Sequence, residues 1–126
     1  MGSTNVELAR RGYDAIRRGD LSEVAQLLDE DVKWHFGDPT AEGACRNREQ
    51  ALAFIRRPER GSPGALVDVI DAGDRVVVIL QPAAVGDEPA PLRAQITTFR
   101  DGKVTEMVGF PTVEAALMAA GVEWQH

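Results

Sequence analysis

Residues 92–110 read LRAQITTFRDGKVTEMVGF, and this stretch decides the fold. Leu92 to Arg100 and Lys103 to Phe110 are strand-like runs, rich in β-branched and aromatic residues. Between them Asp101-Gly102 is a two-residue connection that favours the tight turn of a β-hairpin. Side chains alternate along a strand. Arg93, Gln95, Thr97 and Phe99 therefore share one face, and Ala94, Ile96 and Thr98 share the other. In one register the first set faces a concave interior. In the opposite register Arg93 and Gln95 lie at a solvated edge or a dimer face.

Upstream, Ala65 to Asp71 and Arg75 to Gln81 flank Ala72-Gly73-Asp74, which predicts a second hairpin. Toward the C-terminus, Thr112 is placed to cap a short last helix carrying Val113, Ala116 and Leu117. Toward the N-terminus, Val6, Ala9, Tyr13 and Ile16 follow helical spacing, predicting a helix from about Thr4 to Arg18 that Gly19 closes. Asp20 and Glu23 form a capping-box pattern for a second helix, expected to end near Glu30 with Val24, Leu27 and Leu28 inward. Val32, Trp34 and Phe36 alternate with Lys33 and His35, the period of a half-buried strand. Asn47 and Gln50 repeat the box before a third helix containing Ala51, Leu52, Phe54 and Ile55. The order α-α-β-α-β-β-β-β-α predicts one α+β domain over residues 1–126. A curved antiparallel sheet wraps around helices in it. Helices on one face only would leave the Ala94, Ile96 and Thr98 face, with Val76 to Leu80, to be covered by a second copy in a homodimer.

The chain has 126 residues, fourteen basic and twenty acidic, with net charge −6. That balance argues against a nucleic-acid partner. The longest strongly apolar run, Val76 to Leu80, is too short to span a membrane. One cysteine, Cys45, excludes an internal disulfide, and a cytoplasmic location is expected. His35 and His126 with Cys45 have no metal-site spacing, and there is no glycine-rich phosphate loop, so no metal or cofactor is expected.

Four segments carry a family resemblance. Tyr13-Asp14-Ala15-Ile16-Arg17-Arg18-Gly19-Asp20-Leu21, Asp31-Val32-Lys33-Trp34-His35-Phe36, Gly43 to Gln50 with Arg46, and Phe99-Arg100-Asp101-Gly102-Lys103-Val104 occur in order. Together they resemble the SnoaL-like, polyketide cyclase-like branch of the nuclear transport factor 2-like superfamily. The resemblance implies a cone-shaped fold with an internal pocket, and a choice among cyclase, isomerase, hydrolase and non-catalytic roles. It also implies where catalytic groups should stand. Thr112 occupies the position of the cyclase acid. Phe36 and Thr97 occupy those of the ketosteroid isomerase base and acidic donor. Arg75-Val76-Val77 keeps only the arginine of the epoxide hydrolase pattern.

A fold with that range does not name a reaction. Asp38, Asp68, Glu106 and His35 are the groups that could carry a relocated proton transfer. For each there is also a structural reading: a turn before Pro39 for Asp38, exposed strand acids for Asp68 and Glu106, a surface or interface position for His35. The candidate pocket is Tyr13, Trp34, Phe36, Phe54, Arg93, Gln95, Thr97, Phe99 and Phe110. The expected function is binding of a small, largely apolar carbonyl-type compound without the family's standard acids. The alternative is a cofactor-free cyclase, isomerase or hydrolase using one of the four candidates. Ketosteroid turnover is not expected, although apolar ligands of that size are expected to fit.

Overall fold

The computed structural model describes residues 4–38, 40–56, 65–82, 86–88 and 90–122. Its elements are α1 (Thr4–Arg18), α2 (Leu21–Leu27), β1 (Leu28–His35), α3 (Arg48–Arg56), β2 (Ala65–Ala72), β3 (Arg75–Gln81), β4 (Arg93–Arg100), β5 (Lys103–Phe110) and α4 (Val113–Ala120). This is the predicted order. The DG turn is built as expected, with both Asp101 (φ 53°) and Gly102 (φ 79°) in the left-handed region that a tight hairpin requires.

The predicted caps form, with altered partners. Asp20 accepts the Glu23 N–H at 3.2 Å, but the Glu23 carboxylate does not close the box. It takes Arg11 at 2.5 Å and Arg18 at 2.8 Å instead, tying α1 to α2. Asn47 accepts the Gln50 N–H at 2.9 Å, and the Gln50 side chain accepts the Arg46 N–H at 2.7 Å. Helix α2 ends at Leu27, three residues before the predicted end near Glu30. Leu28 turns extended (φ −91°, ψ 134°) and pairs with Val104, so sheet pairing overrides the local helical pattern.

The sheet is curved and unclosed, in the order β1-β5-β4-β3-β2. Strands β2 to β5 pair antiparallel, and β1 adds to β5 in parallel. No hairpin joins β1 to its neighbour, so no turn forces the antiparallel direction. A crossover through α3 carries the chain from one edge of the sheet to the other.

Two cores result. On the concave side α1, α2 and α3 cover Val32, Trp34, Val76, Val78, Phe99 and Met107. On the convex side α4 covers Val77, Ile79, Ala94 and Ile96 through Val113, Ala116 and Ala120. The expectation that helices cover one face only is therefore corrected. The face assigned to a partner copy is covered by this chain's own last helix. Alanines let α4 lie close to the sheet, and the Arg75 guanidinium reaches the Ala119 and Ala120 carbonyls at 3.4 and 3.5 Å. Val77 and Ile79 are fully buried there, each contributing about 1.5–3 kcal/mol of transfer free energy.

Candidate functional site

Hydrogen-bond register across the sheet defines rows of side chains that point the same way. Trp34, Met107, Thr97 and Val76 form one row, and Gly109, Gln95 and Val78 the next concave one. Between them His35, Val108, Ile96 and Val77 form a row that points to the convex side.

A cavity of about 100 Å³ opens above the concave rows. Its roof is the inner face of α1, with Leu8, Ala9, Gly12, Tyr13 and Ile16, continued by Val24 and Leu27 of α2 and Ile55 of α3. Its floor is Leu28, Trp34, Val78, Leu80, Gln95, Thr97, Phe99, Val104 and Met107. The side chains with hydrogen-bonding groups in this lining are Tyr13, Trp34, Gln95 and Thr97; Gln95 donates weakly to Thr97 at 3.4 Å. Tyr13 is the titratable member. Burial raises its phenol above the ordinary value, and the Arg17 charge pulls it back in part. The hydroxyl therefore stays protonated at neutral pH, as a donor rather than a base.

Of the predicted pocket residues, Tyr13, Trp34, Gln95, Thr97 and Phe99 line the cavity. The other four do not. Phe54 stacks on Trp34, with ring centroids 4.9 Å apart, and packs against the concave core without entering the lining. Phe110 belongs to the row of Ala94 and packs into the convex core beneath α4. Arg93 is exposed at the start of β4. Phe36 lies just past the end of β1, 71% exposed, with its ring over Gly109, where any side chain would collide with it. Alternation alone had placed Leu8, Gly12, Met107 and their neighbours no nearer the pocket than any other core residue. The signal for the helical ones was the apolar spacing of α1.

None of the four acid–base candidates lines the cavity. His35 and Glu106 do meet: His35 Nε2 is 2.9 Å from Glu106 Oε2. The Gly37 N–H donates to Nδ1 at 3.0 Å, which leaves the proton of the neutral ring on Nε2, facing the carboxylate. The sheet itself separates this buried histidine from the cavity. Asp38 stands near His35, but the Thr40 hydroxyl (2.6 Å) and backbone N–H (2.9 Å) hold its carboxyl below the usual range and weaken it as a base. Asp68 does not point into the cavity as the alternation with Leu66 and Ile70 implied. A bulge between Leu66 and Asp68 breaks the period, and Asp68 sits on the edge strand 3.7 Å from Arg10. Thr112 caps α4, accepting the Ala115 N–H at 3.1 Å. Among the described residues no three His, Cys, Asp or Glu side chains come together as a metal site would need.

The SnoaL-like domain profile matches residues 9–107 of the chain. The protein belongs to the SnoaL-like family. No curated protein matches it. Among solved structures, this SnoaL-like chain is similar to a protein from a soil-derived mobile gene cassette, at 28% identity and TM-score 0.69, covering 83% of this chain and 86% of that one. An NTF2-like protein of unknown function from Burkholderia pseudomallei is 24% identical, at TM-score 0.69 and coverages of 93% and 97%. A putative ketosteroid isomerase from Kribbella flavida is also 24% identical, at TM-score 0.65 and coverages of 83% and 75%. No helix of the described residues is long and apolar enough to cross a membrane.

The cavity is small. Ligand pockets usually enclose about 300–1,000 Å³, and an engineered void of about 150 Å³ accepts benzene. At about 100 Å³ this cavity lies below both, so it suits a small occupant better than a large one as it stands.

Proposed function

We propose that this SnoaL-like chain binds a small, largely apolar carbonyl-type compound, about one ring wide, without acid–base chemistry in its cavity. The observation that carries the reading is the lining. It is apolar except for Tyr13, Trp34, Gln95 and Thr97, and holds no carboxylate, imidazole or thiol among the described residues. Neutral donors of this kind satisfy a carbonyl oxygen and fix its orientation. They do not abstract a proton near neutral pH.

The test is a thermal-shift series with neutral single-ring ketones, aldehydes and esters. At a hundredfold excess over Kd the native state gains about 2.7 kcal/mol, which raises Tm by roughly 8 °C for a domain of this size. A series with no saturable shift overturns the reading.

One observation favours a second reading, a cofactor-free cyclase, isomerase or hydrolase. The His35–Glu106 contact is a buried imidazole oriented by a carboxylate. In that case turnover of a carbonyl substrate falls when His35→Gln or Glu106→Gln is introduced. Absence of turnover removes the reading, and unchanged turnover in both variants removes this pair from it.

The same reading includes a homodimer and a cytoplasmic location. A lone thiol, Cys45, buried beside Trp34, suits a reducing compartment. The dimer now rests on different ground from the sheet face. Met118 is 82% exposed on the outer side of α4, with Ala119 exposed beside it. Sedimentation at micromolar concentration should return twice the 13.7 kDa chain mass, and Met118→Glu should return the monomer.

A further inference from the structure

We infer that the ligand is an organic acid, and that Arg93 at the cavity mouth receives its carboxylate. This rests on the cavity being a ligand site, as proposed above, and adds the charge of the compound.

Three side chains of β4 run in a line from the rim to the floor. Thr97 and Gln95 line the cavity. Arg93 is two residues further on, on the same face by alternation, and it pairs across the sheet with Leu80, itself a lining residue. Two strand steps span about 6.6 Å, within reach of an arginine side chain. Apart from the Trp34 indole, the rest of the floor is apolar.

Arg93 is also unspent. Arg10, Arg11, Arg18 and Arg75 meet carboxylates within 4 Å, whereas among the described residues Arg93, like Arg17, Arg46, Arg48, Arg56 and Arg100, does not; Arg93 alone of these six keeps step with the cavity-lining residues Gln95 and Thr97 along β4. Arg93 is exposed and meets none among the described residues, in a chain whose net charge is −6. An arginine fork matches a carboxylate in a two-point contact.

The mouth fits a short stem between ring and acid. On the β1 side, the Phe36 ring lies over Gly109 in the Gln95 row, an exposed apolar wall at the same height. A ring seated near Trp34 and Met107 would send its stem past Gln95, with Phe36 on one flank and Arg93 ahead. The carboxylate stays in water at the rim, so burial does not penalise it.

The experiment is calorimetric titration with hydrocinnamate, its methyl ester and hydrocinnamyl alcohol, on the wild type and on Arg93→Gln and Arg93→Lys. The acid should bind the wild type about tenfold more tightly than either neutral probe. Arg93→Gln should level the three, and Arg93→Lys should keep part of the preference. High salt should narrow the gap, because the contact is exposed. Ligand-free melting of the variants verifies that they fold. Equal binding of acid and neutral probes to the wild type overturns the inference and leaves the cavity reading standing. So does a preference that survives Arg93→Gln. Absence of binding by all three probes overturns both.

Discussion

Burial raises the Tyr13 phenol above its ordinary value, whereas the hydroxyl and N–H of Thr40 lower the Asp38 carboxyl below its own. The first environment makes a hydrogen-bond donor and the second a weak base, and only the first lies in the cavity. Tyr13→Phe should therefore leave the fold intact and cost about fivefold in affinity for a carbonyl ligand, one ordinary hydrogen bond. Calorimetry of the variant measures this; unchanged affinity would place the ligand oxygen elsewhere. At this scale the sequence was partly legible. Alternation along β4 put Gln95, Thr97 and Phe99 on one face, and the structure has them there. Alternation failed at Asp68, where the bulge resets the period. It said nothing of Phe54, whose ring stacks on Trp34, or of the His35–Glu106 contact between strands far apart in sequence.

At the scale of elements, local chemistry set nearly every boundary. The DG turn, the Asp20 cap, the Asn47 cap and the Thr112 cap all formed where side-chain pattern placed them. The exceptions are long-range. Nothing within α2 signals that Leu28 will leave the helix to pair with Val104, and nothing within α4 names the sheet face it will cover. Helix α4 makes the convex face part of the core, and this has a measurable consequence. Thr112→Ala should cost about 1 kcal/mol by removing the cap. Ile79→Ala should cost about 2–5 kcal/mol, because the site is fully buried between sheet and helix. Denaturant unfolding gives both values. A cost for Ile79→Ala below that of Thr112→Ala would mean that α4 does not pack as described.

For the whole molecule, the titrating groups bracket a range of greatest stability. The carboxyls of Glu23, Asp20 and Asp38 are held below their ordinary values, Glu23 first by Arg11 and then by Arg18, Asp20 by the Glu23 N–H, Asp38 by Thr40. Groups lowered in the folded state stabilise it above their unfolded values, and that contribution is lost as pH falls through the lowered ones. Tyr13 is raised, so its contribution is full below about pH 10 and is lost as pH rises through the folded value. Melting temperature should thus be flat near neutrality and fall at both extremes, less steeply on the acid side in Glu23→Gln. The fold was legible as a whole because hairpins, caps and apolar periods are local; the occupant of the cavity was not, because its lining is assembled from seven separate elements. Methionine-methyl NMR reports directly on whether this cavity takes up a small, largely apolar carbonyl compound. Met107 lines the cavity, while Met118 stands exposed on α4. On titration with methyl hydrocinnamate, the Met107 methyl signal should shift saturably while the Met118 signal stays unmoved. A Met107 signal that stays fixed to the solubility limit of the ligand would contradict that uptake.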